Sequence, residues 1–304
     1  MTRSLALVIA VLMLVGCGSS TPKAVRAKGL PGYVVEADGH KVYFSCEGKG
    51  SPTVVFLSGF GDDSSGWGSV FDESSRLTRS CEYDRDGLGL TSLYSAPAPK
   101  VRDAHDQIDE LEQLLENADI PKPYVLVGHS WGGALARLYA GTHDDVKAVV
   151  FVDSATPGQV KAFAAALPPK RADEPQLFTD LRSLLNPDPR QNPEHLDLPK
   201  GLTEVGEVTS IGSTPEIVIT AGSTFTGDAA ILFPVWSRLQ NDLARLSTRS
   251  VHVLAPTSGH YVQREAPDVV TASVRAAVNA VRDNGRLASC AAIFRHVADG
   301  TCLR

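Results

Sequence analysis

The sequence predicts an α/β fold, with a mostly parallel central sheet flanked by helices and a helical cap inserted into it. Short apolar runs such as Tyr124 to Val127 and Val146 to Val152 alternate with helical stretches such as Ala104 to Glu116. This alternation is typical of parallel strands joined by helices. From Ala155 to Pro215 the pattern changes to proline-rich sequence with short helical pieces and no strand-like run. Such a change indicates an insertion into the sheet domain.

The remaining elements follow from local periodicity. Val42 to Cys46 and Thr53 to Leu57 are short apolar or β-branched runs separated by a Gly- and Pro-containing turn, so we expect a hairpin. Ser80 to Tyr83 is a third strand candidate. After the insertion we predict strands at Glu216 to Thr220 and Ser250 to Leu254 and a closing helix at Pro267 to Arg282. The core is thus expected over residues 31–154 and 216–284, the cap over 155–215, and a tail over 285–304.

Composition restricts the class of partner. The 304 residues can bury one large core. The formal net charge is −6 and no run of Lys or Arg is present, which argues against nucleic acid or an anionic membrane surface as the main partner. A small neutral substrate is therefore expected, bound by a monomer.

The first residues have the pattern of an export signal. Arg3 precedes an apolar run from Leu5 to Val15 that is too short to span a bilayer. Leu14-Val15-Gly16-Cys17 resembles the bacterial lipoprotein box, in which the cysteine sulfur receives a diacylglyceryl group. An ordinary cleaved signal that carries a cysteine is the alternative. We expect a signal peptide over 1–16, a lipid on Cys17, a tether over 17–30, and anchoring to the extracytoplasmic side of the cell membrane.

Four further cysteines are available for disulfides: Cys46, Cys81, Cys290 and Cys302. An even number in an exported chain indicates two bridges. Three pairings are open, but Cys290 and Cys302 lie close together beyond the last predicted helix, which favours a local bridge and leaves Cys46 with Cys81. Free buried thiols are the alternative, which an oxidising compartment disfavours.

Gly128-His129-Ser130-Trp131-Gly132 is the most informative motif. An apolar run precedes it and the helical stretch Ala134 to Ala140 follows it. A nucleophilic serine requires this order, because a sharp turn between strand and helix exposes its hydroxyl in a strained conformation. Gly128 and Gly132 leave room where a Cβ would collide with neighbouring backbone. Ser130 is therefore the candidate nucleophile, and a simple helix cap is the alternative.

A serine hydroxyl needs a base to take its proton. His129 is adjacent in sequence but points away from the serine on such a turn. His260 follows the final predicted strand directly, in Ser258-Gly259-His260-Tyr261, where a loop can bring its imidazole over the sheet edge. We predict His260 as the general base. No pair of histidines has metal-ligand spacing, so neither a metal nor another cofactor is expected.

The order of the motifs carries a resemblance. Leu57-Ser58-Gly59-Phe60-Gly61 follows an early strand, Tyr83 to Gly89 follows the next, and the Ser130 turn and the His260 loop come after them. In this order they resemble the motifs of the α/β-hydrolase superfamily, over nearly the whole chain from about Tyr33 to Arg282. The resemblance implies an α/β-hydrolase fold and hydrolysis of an ester, amide, thioester or related bond.

The same resemblance assigns supporting roles. It implies that the backbone N–H groups of Phe60 and Trp131 form an oxyanion hole. Many relatives have histidine where this chain has Ser58, but the donor is backbone, so the mechanism is unaffected. The stretch from Asp84 to Gly89 is expected to fix the loop beside the serine turn. In this fold the strands of Cys46 and Cys81 are neighbours, which supports their pairing.

The acid that orients His260 is the least determined member of the site. Most relatives carry it in the loop after the strand that is here Glu216 to Thr220, and this loop has no carboxylate until Asp228. Asp153 ends the strand Val146 to Val152, where other members carry their acid. The chain resembles a subgroup with Val-Asp at that strand end and a later tryptophan, here Trp236. We therefore prefer Asp153 and keep Asp228 as the alternative.

These residues predict a serine hydrolase that cleaves carboxylic esters through an acyl-enzyme on Ser130. A peptidase or amidase with the same three groups is an alternative, because the triad does not distinguish an ester from an amide. Haloalkane dehalogenation is disfavoured, since it needs a carboxylate where Ser130 stands. An inactive envelope binding protein of the same fold is the alternative outside enzymes. Candidates for lining the substrate pocket, or for the core of the cap itself, are Phe163, Leu167, Phe178 and Leu185.

Overall fold

A computed structural model describes residues 24–185 and 187–303 of the chain. The predicted signal peptide and Cys17 lie outside the described residues, as does most of the predicted tether. Within the described ranges no helix is long and apolar enough to cross a membrane.

The described strands form one sheet in the order β1-β2-β3-β5-β4-β6-β7-β8-β9-β10. Strands from β5 through β9 in this order run parallel to one another, and the two edges are antiparallel. The predicted mostly parallel central sheet is therefore confirmed. The strands are β1 (Val25–Arg26), β2 (Tyr33–Ala37), β3 (His40–Glu47), β4 (Thr53–Leu57), β5 (Ser80–Tyr83), β6 (Tyr124–His129), β7 (Val146–Val152), β8 (Glu216–Ala221), β9 (Ser250–Ala255) and β10 (Thr301–Cys302).

Helices cover both faces of the sheet. They are α1 (Gly68–Leu77), α2 (Ala104–Asn117), α3 (Trp131–Thr142), α4 (Gln159–Ala166), α5 (Gln176–Leu185), α6 (Leu198–Val205), α7 (Phe233–Leu243), α8 (Val262–Glu265), α9 (Pro267–Arg282) and α10 (Cys290–Phe294). Alternate residues of β4 enter opposite layers: Val55 packs in the core with α2, α3 and α6, whereas Val54 packs in the core with α1 and α9. This alternation follows from the two-residue period of a strand whose faces are both buried.

The predicted hairpin between the strands β3 and β4 is wrong. Strand β5 lies between them, antiparallel to β3 and parallel to β4. The hairpin instead joins β2 to β3, where Asp38 and Gly39 both have positive φ angles, of 47° and 78°. An Asp-Gly pair favours such a two-residue turn because both central residues need that conformation. The Asp38-Gly39 pair therefore indicated the position of the hairpin better than the Gly- and Pro-containing turn between β3 and β4 did.

The proline-rich insertion consists of two parts that pack differently. Helices α4 and α5 share a small apolar cluster with Phe225 and with Trp236 of α7, so this outer cap includes residues that follow β8. Helix α6 instead buries Leu198, Leu202 and Val205 in the main core. Because those apolar residues recur at helical spacing, they cover α2 and α3 rather than form a separate lid. The segment 155–215, predicted as a cap, thus has two parts: α4 and α5 belong to the outer cap, whereas α6 packs in the main core.

Two disulfides join elements of the sheet domain. Cys46 of β3 lies directly opposite Cys81 of β5, with a Cα–Cα distance of 4.1 Å. Cys290 at the start of α10 is bonded to Cys302 of β10. The C-terminal segment is not a loose tail, because β10 pairs with β9. Its Asp299 carboxylate accepts hydrogen bonds from the backbone and hydroxyl of Thr257, in the loop that leads to His260.

Candidate active site

Ser130 occupies a strained turn between β6 and α3. Its φ and ψ are 50° and −119°, a region that costs a non-glycine residue energy and is found at functional positions. The glycines on either side allow the turn. A Cβ on Gly128 would lie 2.4 Å from the carbonyl oxygen of Gly132, and one on Gly132 would lie 2.1 Å from that of Leu57. The amide of Ser130 donates to the carbonyl of Val152 at 3.1 Å, which fixes the turn over the end of β7.

The imidazole of His260 is bound to a buried carboxylate. Its Nδ1 lies 2.7 Å from Oδ2 of Asp153, and the Asp153 side chain has no solvent exposure. Asp153 follows β7 directly and has a positive φ of 40°. Because an ionised carboxylate can only accept a hydrogen bond, Nδ1 carries the hydrogen, and in the neutral imidazole Nε2 is then the nitrogen without one. The arrangement gives His260 a free basic nitrogen.

The second oxygen of Asp153 also has partners. Oδ1 accepts hydrogen bonds from the indole Nε1 of Trp236 at 2.7 Å and from the amide of Ala221 at 3.0 Å. These donors hold the carboxylate plane and compensate its charge in a buried place. Asp228 lies on the exposed side of a short 3-10 helix, Gly227–Leu232, and makes no described hydrogen bond to His260. The structure therefore brings Asp153, and not the alternative Asp228, to the histidine.

His129 contacts the back of the His260 loop. Its Nε2 lies 2.9 Å from the carbonyl oxygen of His260, and the two rings are 4.7 Å apart. Burial, with the charge of His260, holds the pKa of His129 well below its ordinary value of 6.5. A neutral His129 donates its Nε2–H to that carbonyl. His129 thus fixes the loop that carries the base.

Two backbone amides at the serine turn and at the loop packed against it have no described protein acceptor; the packing is close, because a Cβ on Gly132 would lie 2.5 Å from the carbonyl oxygen of Ser58. Phe60 follows β4 by way of Ser58 and Gly59, and Trp131 is the first residue of α3. Among residues 24–185 and 187–303, the hydrogen bonds include none donated by the N–H of Phe60 or of Trp131. The first N–H groups of a helix have no partner inside it. Two free donors next to a nucleophile can stabilise an oxyanion.

A cavity of about 220 Å³ joins the three side chains. Ser130, Asp153 and His260 line its floor, and its walls are mainly apolar. The apolar wall residues come from the outer cap and from the loop after β8: Phe163, Leu177, Leu181, Leu184, Phe225 and Trp236. Of the pocket candidates chosen from sequence, Phe163 lines the cavity, whereas Phe178 and Leu167 pack inside the cap. Larger grooves near Arg249 lie at the other end of the strands and contain none of the triad.

Sequence reasoning missed a buried polar cluster behind the oxyanion amides. Arg85, Gln107 and Glu194 are each at most 1 % exposed and are hydrogen-bonded to one another or to the Ser58 to Gly61 loop. Arg85 was expected only as part of a structural stretch, and Glu194 lies in the insertion. Arg85 and Glu194 are 109 residues apart in the sequence, so no local sequence pattern could reveal that they are paired. Within the described residues no group of His, Cys, Asp and Glu side chains could hold a metal ion.

The comparisons with known proteins concern the fold and the family of the chain. The chain is 27 % identical over 230 residues to the uncharacterised protein YqjL of Bacillus subtilis, covering 74 % of this chain and 82 % of YqjL. Three further curated relatives, among them a haloalkane dehalogenase of Sphingobium indicum, match over less than half of their own length. The haloalkane dehalogenase DbeA from Bradyrhizobium elkani USDA94 is 16 % identical with a TM-score of 0.59, over 83 % of this chain and 98 % of DbeA. The enol-lactonase from Burkholderia xenovorans LB400 is 19 % identical with a TM-score of 0.56, over 79 % and 97 %. At these identities the two structures establish the fold alone.

The class of α/β-fold hydrolases is defined by a parallel sheet with a strained nucleophile turn. A cap lies above that turn, and a His-acid pair lies at the carboxyl ends of the strands. The family model for the Alpha/beta hydrolase family matches residues 54–273, which is most of the chain. The chain belongs to that family, and the predicted α/β-hydrolase fold is confirmed.

Proposed function

We propose that this protein is a serine hydrolase that cleaves carboxylic esters through an acyl-enzyme on Ser130. One observation carries the proposal: the 2.7 Å hydrogen bond that Nδ1 of His260 donates to Oδ2 of Asp153 leaves Nε2 as a base in the same cavity as the strained serine. A base held in one tautomer beside a serine is what activates its hydroxyl.

Each step of the reaction has a group to perform it. The Ser130 oxygen attacks the ester carbonyl carbon while Nε2 of His260 takes its proton. The amides of Phe60 and Trp131 donate to the carbonyl oxygen as it becomes negative. The intermediate then breaks its bond to the alcohol oxygen, which takes the proton from His260. Water attacks the acyl-enzyme in the same way, and the acid leaves as Ser130 regains its proton.

The identity of the nucleophile favours acyl transfer over halide displacement. Attack of the Ser130 oxygen on a haloalkane carbon would form an ether. No carbonyl would be present for the two amides to stabilise, and water could not release the product by acyl chemistry. Attack on an ester forms a second ester, which the same groups can hydrolyse. The haloalkane dehalogenases among the structural neighbours share the fold, but the dehalogenation for which they are named does not suit a serine at this position.

The cavity supports a small apolar acyl group. Its volume of about 220 Å³ lies below the roughly 300–1,000 Å³ of sites that bind drug-sized ligands. Leu181 and Phe163 form part of the wall, and Asp180, exposed on α5, is the one carboxylate at the lining besides Asp153. A short neutral acyl chain fits this lining better than a long or anionic chain.

The test is labelling and turnover of the full chain in detergent. A fluorophosphonate probe should label wild-type protein, Ser130→Ala should abolish the labelling, and His260→Ala should slow it steeply. Two matched controls, Ser183→Ala and His105→Ala, change an exposed serine of α5 and an exposed histidine of α2 and should label like the wild type.

Substrate panels then separate the candidates. Hydrolysis of p-nitrophenyl butanoate and hexanoate well above that of the dodecanoate supports the proposal. Preference for p-nitroanilide amides would replace it with an amidase. Absence of labelling and turnover in a folded wild-type chain would overturn it in favour of a binding protein.

We also propose that Cys17 anchors the protein to the outer side of the cell membrane. The Leu14-Val15-Gly16-Cys17 box supports this location, and two disulfides suit an oxidising compartment. Expressed in a bacterium, the wild-type chain should fractionate with membranes and incorporate a clickable fatty acid. Cys17→Ser should lose the label. Equal labelling of the Cys17→Ser chain would overturn the assignment.

A further inference from the structure

A single buried carboxylate reaches the oxyanion loop from the inserted segment. Oε1 of Glu194 accepts a hydrogen bond from the amide of Gly61 at 2.8 Å. Oε2 accepts from Nε of Arg85 at 2.8 Å and from Nε2 of Gln107 at 2.8 Å. The segment packs directly on the loop after β5, because a Cβ on Gly87 would lie 2.0 Å from the carbonyl oxygen of Pro193. Glu194 is thus held by three partners from three parts of the chain.

Arg85 extends this contact to the peptide that bears the first oxyanion donor. Its Nη1 donates to the carbonyl of Ser58 at 2.7 Å and its Nη2 to the carbonyl of Gly59 at 2.6 Å. The Gly59 carbonyl and the Phe60 N–H belong to one planar trans peptide, in which they point in opposite directions. By holding the carbonyl, Arg85 sets the direction of the Phe60 N–H. The hydrogen bond that the Gly61 amide donates to Glu194 fixes the other side of Phe60.

Gln107 extends the contact to the second donor. While its Nε2 donates to Glu194, its Oε1 accepts a hydrogen bond from the indole Nε1 of Trp131 at 2.7 Å. Trp131 supplies the other free amide, and its side chain is 1 % exposed. Both residues of the oxyanion hole are therefore tied, through one intermediate side chain each, to the same carboxylate.

We propose that Glu194 is a positioning residue that aligns the two amides of the oxyanion hole. The inference rests on the proposed serine hydrolysis. A buried ion pair adds little net stability over apolar packing, but it does hold its members in one arrangement. Arg85, Gln107 and Glu194 are almost fully buried, so the alignment is insulated from solvent. The inserted segment takes part in this way in the chemistry, and not only in covering the substrate.

The first test is Glu194→Gln. Both carboxylate oxygens accept hydrogen bonds, so either orientation of the amide places an NH₂ group against a donor. The amides remain but shift, and a misplacement of about 1 Å can cost on the order of 100-fold in rate. We expect kcat per labelled site to fall about 10- to 100-fold with KM within about twofold. Affinity for a trifluoromethyl ketone that forms a tetrahedral adduct should fall in parallel with kcat/KM.

Glu110→Gln is the matched control. Glu110 is a fully buried carboxylate paired with Arg102 at 2.8 Å on the same helix as Gln107, and it does not contact the Ser58 to Gly61 loop. The Glu110→Gln variant should lose about as much stability as Glu194→Gln, while its kcat per labelled site stays within about threefold of wild type. Equal losses of kcat in both variants, or a Glu194→Gln kcat within twofold of wild type, would overturn the inference.

A readout independent of turnover separates this inference from the proposed function. In a ¹⁵N-labelled full chain, Glu194→Gln should shift the indole N–H resonance of Trp131 and speed its exchange with solvent. The indole of Trp236, which donates to Asp153, should stay unchanged and serves as the internal reference. An unaltered Trp131 indole would overturn the coupling. An altered Trp131 indole in a chain that neither labels nor hydrolyses esters would support the coupling and reject the proposed function.

Discussion

Replacing Asp153 by asparagine changes which nitrogen of His260 carries the proton. Oδ1 accepts from two donors, Trp236 and Ala221, so the oxygen of the new amide should keep that place. Its NH₂ group then takes the position of Oδ2, 2.7 Å from Nδ1 of His260. Since the NH₂ group is a donor, Nδ1 must become the acceptor and Nε2 must bear the hydrogen. Nε2 of His260 can then no longer accept the serine proton, although the side chain at position 153 keeps its shape.

The expected loss is large. A tautomer change of this kind lowers kcat by about 10⁴ in a serine triad, which corresponds to about 5 kcal/mol of transition-state stabilisation. Turnover of p-nitrophenyl butanoate per labelled site should fall by that factor while thermal unfolding monitored by circular dichroism stays within a few degrees of wild type. Asp228→Asn, which changes the exposed alternative acid, should keep kcat within about twofold. If folded Asp153→Asn retained more than a tenth of wild-type kcat, or if Asp228→Asn lost a hundredfold, the assignment of the acid would be refuted.

Three further outcomes are expected. Gly132→Ala should cost at least the roughly 1–3 kcal/mol typical of overpacking, because its Cβ would lie 2.1 Å from backbone; unchanged thermal unfolding would contradict the turn geometry. Burial raises the pKa of Glu82 to about 8 from 4.5, so its contribution to stability is complete below pH 4.5 and is lost as the pH rises through 8. Glu82→Gln should therefore raise Tm at pH 8.5 and leave it unchanged at pH 4.5, and the reverse order would refute the burial argument. Replacing Cys46 and Cys81 by serine opens a loop of 35 residues and should lower the free energy of unfolding in urea by about 4 kcal/mol; peptide mass spectrometry of the unreduced wild type should show neither thiol free.

Much of the fold could be predicted because its elements are long and periodic. Strand β7 and helix α9 have the predicted boundaries, and β6 and β8 extend the predicted runs by one or two residues. Failures occur where pairing is non-local. The insertion of β5 between β3 and β4 is set by sheet order, which no short window of sequence contains. Helix α6 fell within the predicted cap, 155–215, because it lies in the proline-rich sequence of that segment. Only its packing shows that three of its apolar residues are buried in the core.

The candidate site divides in the same way. Ser130, His260 and the Phe60 and Trp131 amides could be named from motifs, since a sharp turn, a strand end and a glycine pair are properties of consecutive residues. The choice between two acids could not be made by that means. Asp153 and His260 are 107 residues apart, and only their meeting at the carboxyl ends of β7 and β9 distinguishes Asp153 from Asp228. The donation of Trp236 to Asp153 likewise depends on how α7 crosses that edge.

The sequence by itself determined the class of fold and indicated Ser130 and His260 as the candidate nucleophile and base, because these inferences depend on local periodicity and on where backbone can turn. Tertiary structure alone decided which acid binds His260, how small the cavity beside Ser130 is, and that Glu194 binds the Ser58 to Gly61 loop. The physical reason is that hydrogen bonds and burial join atoms that are near in space. Glu194 is 133 residues from the amide of Gly61 that it binds.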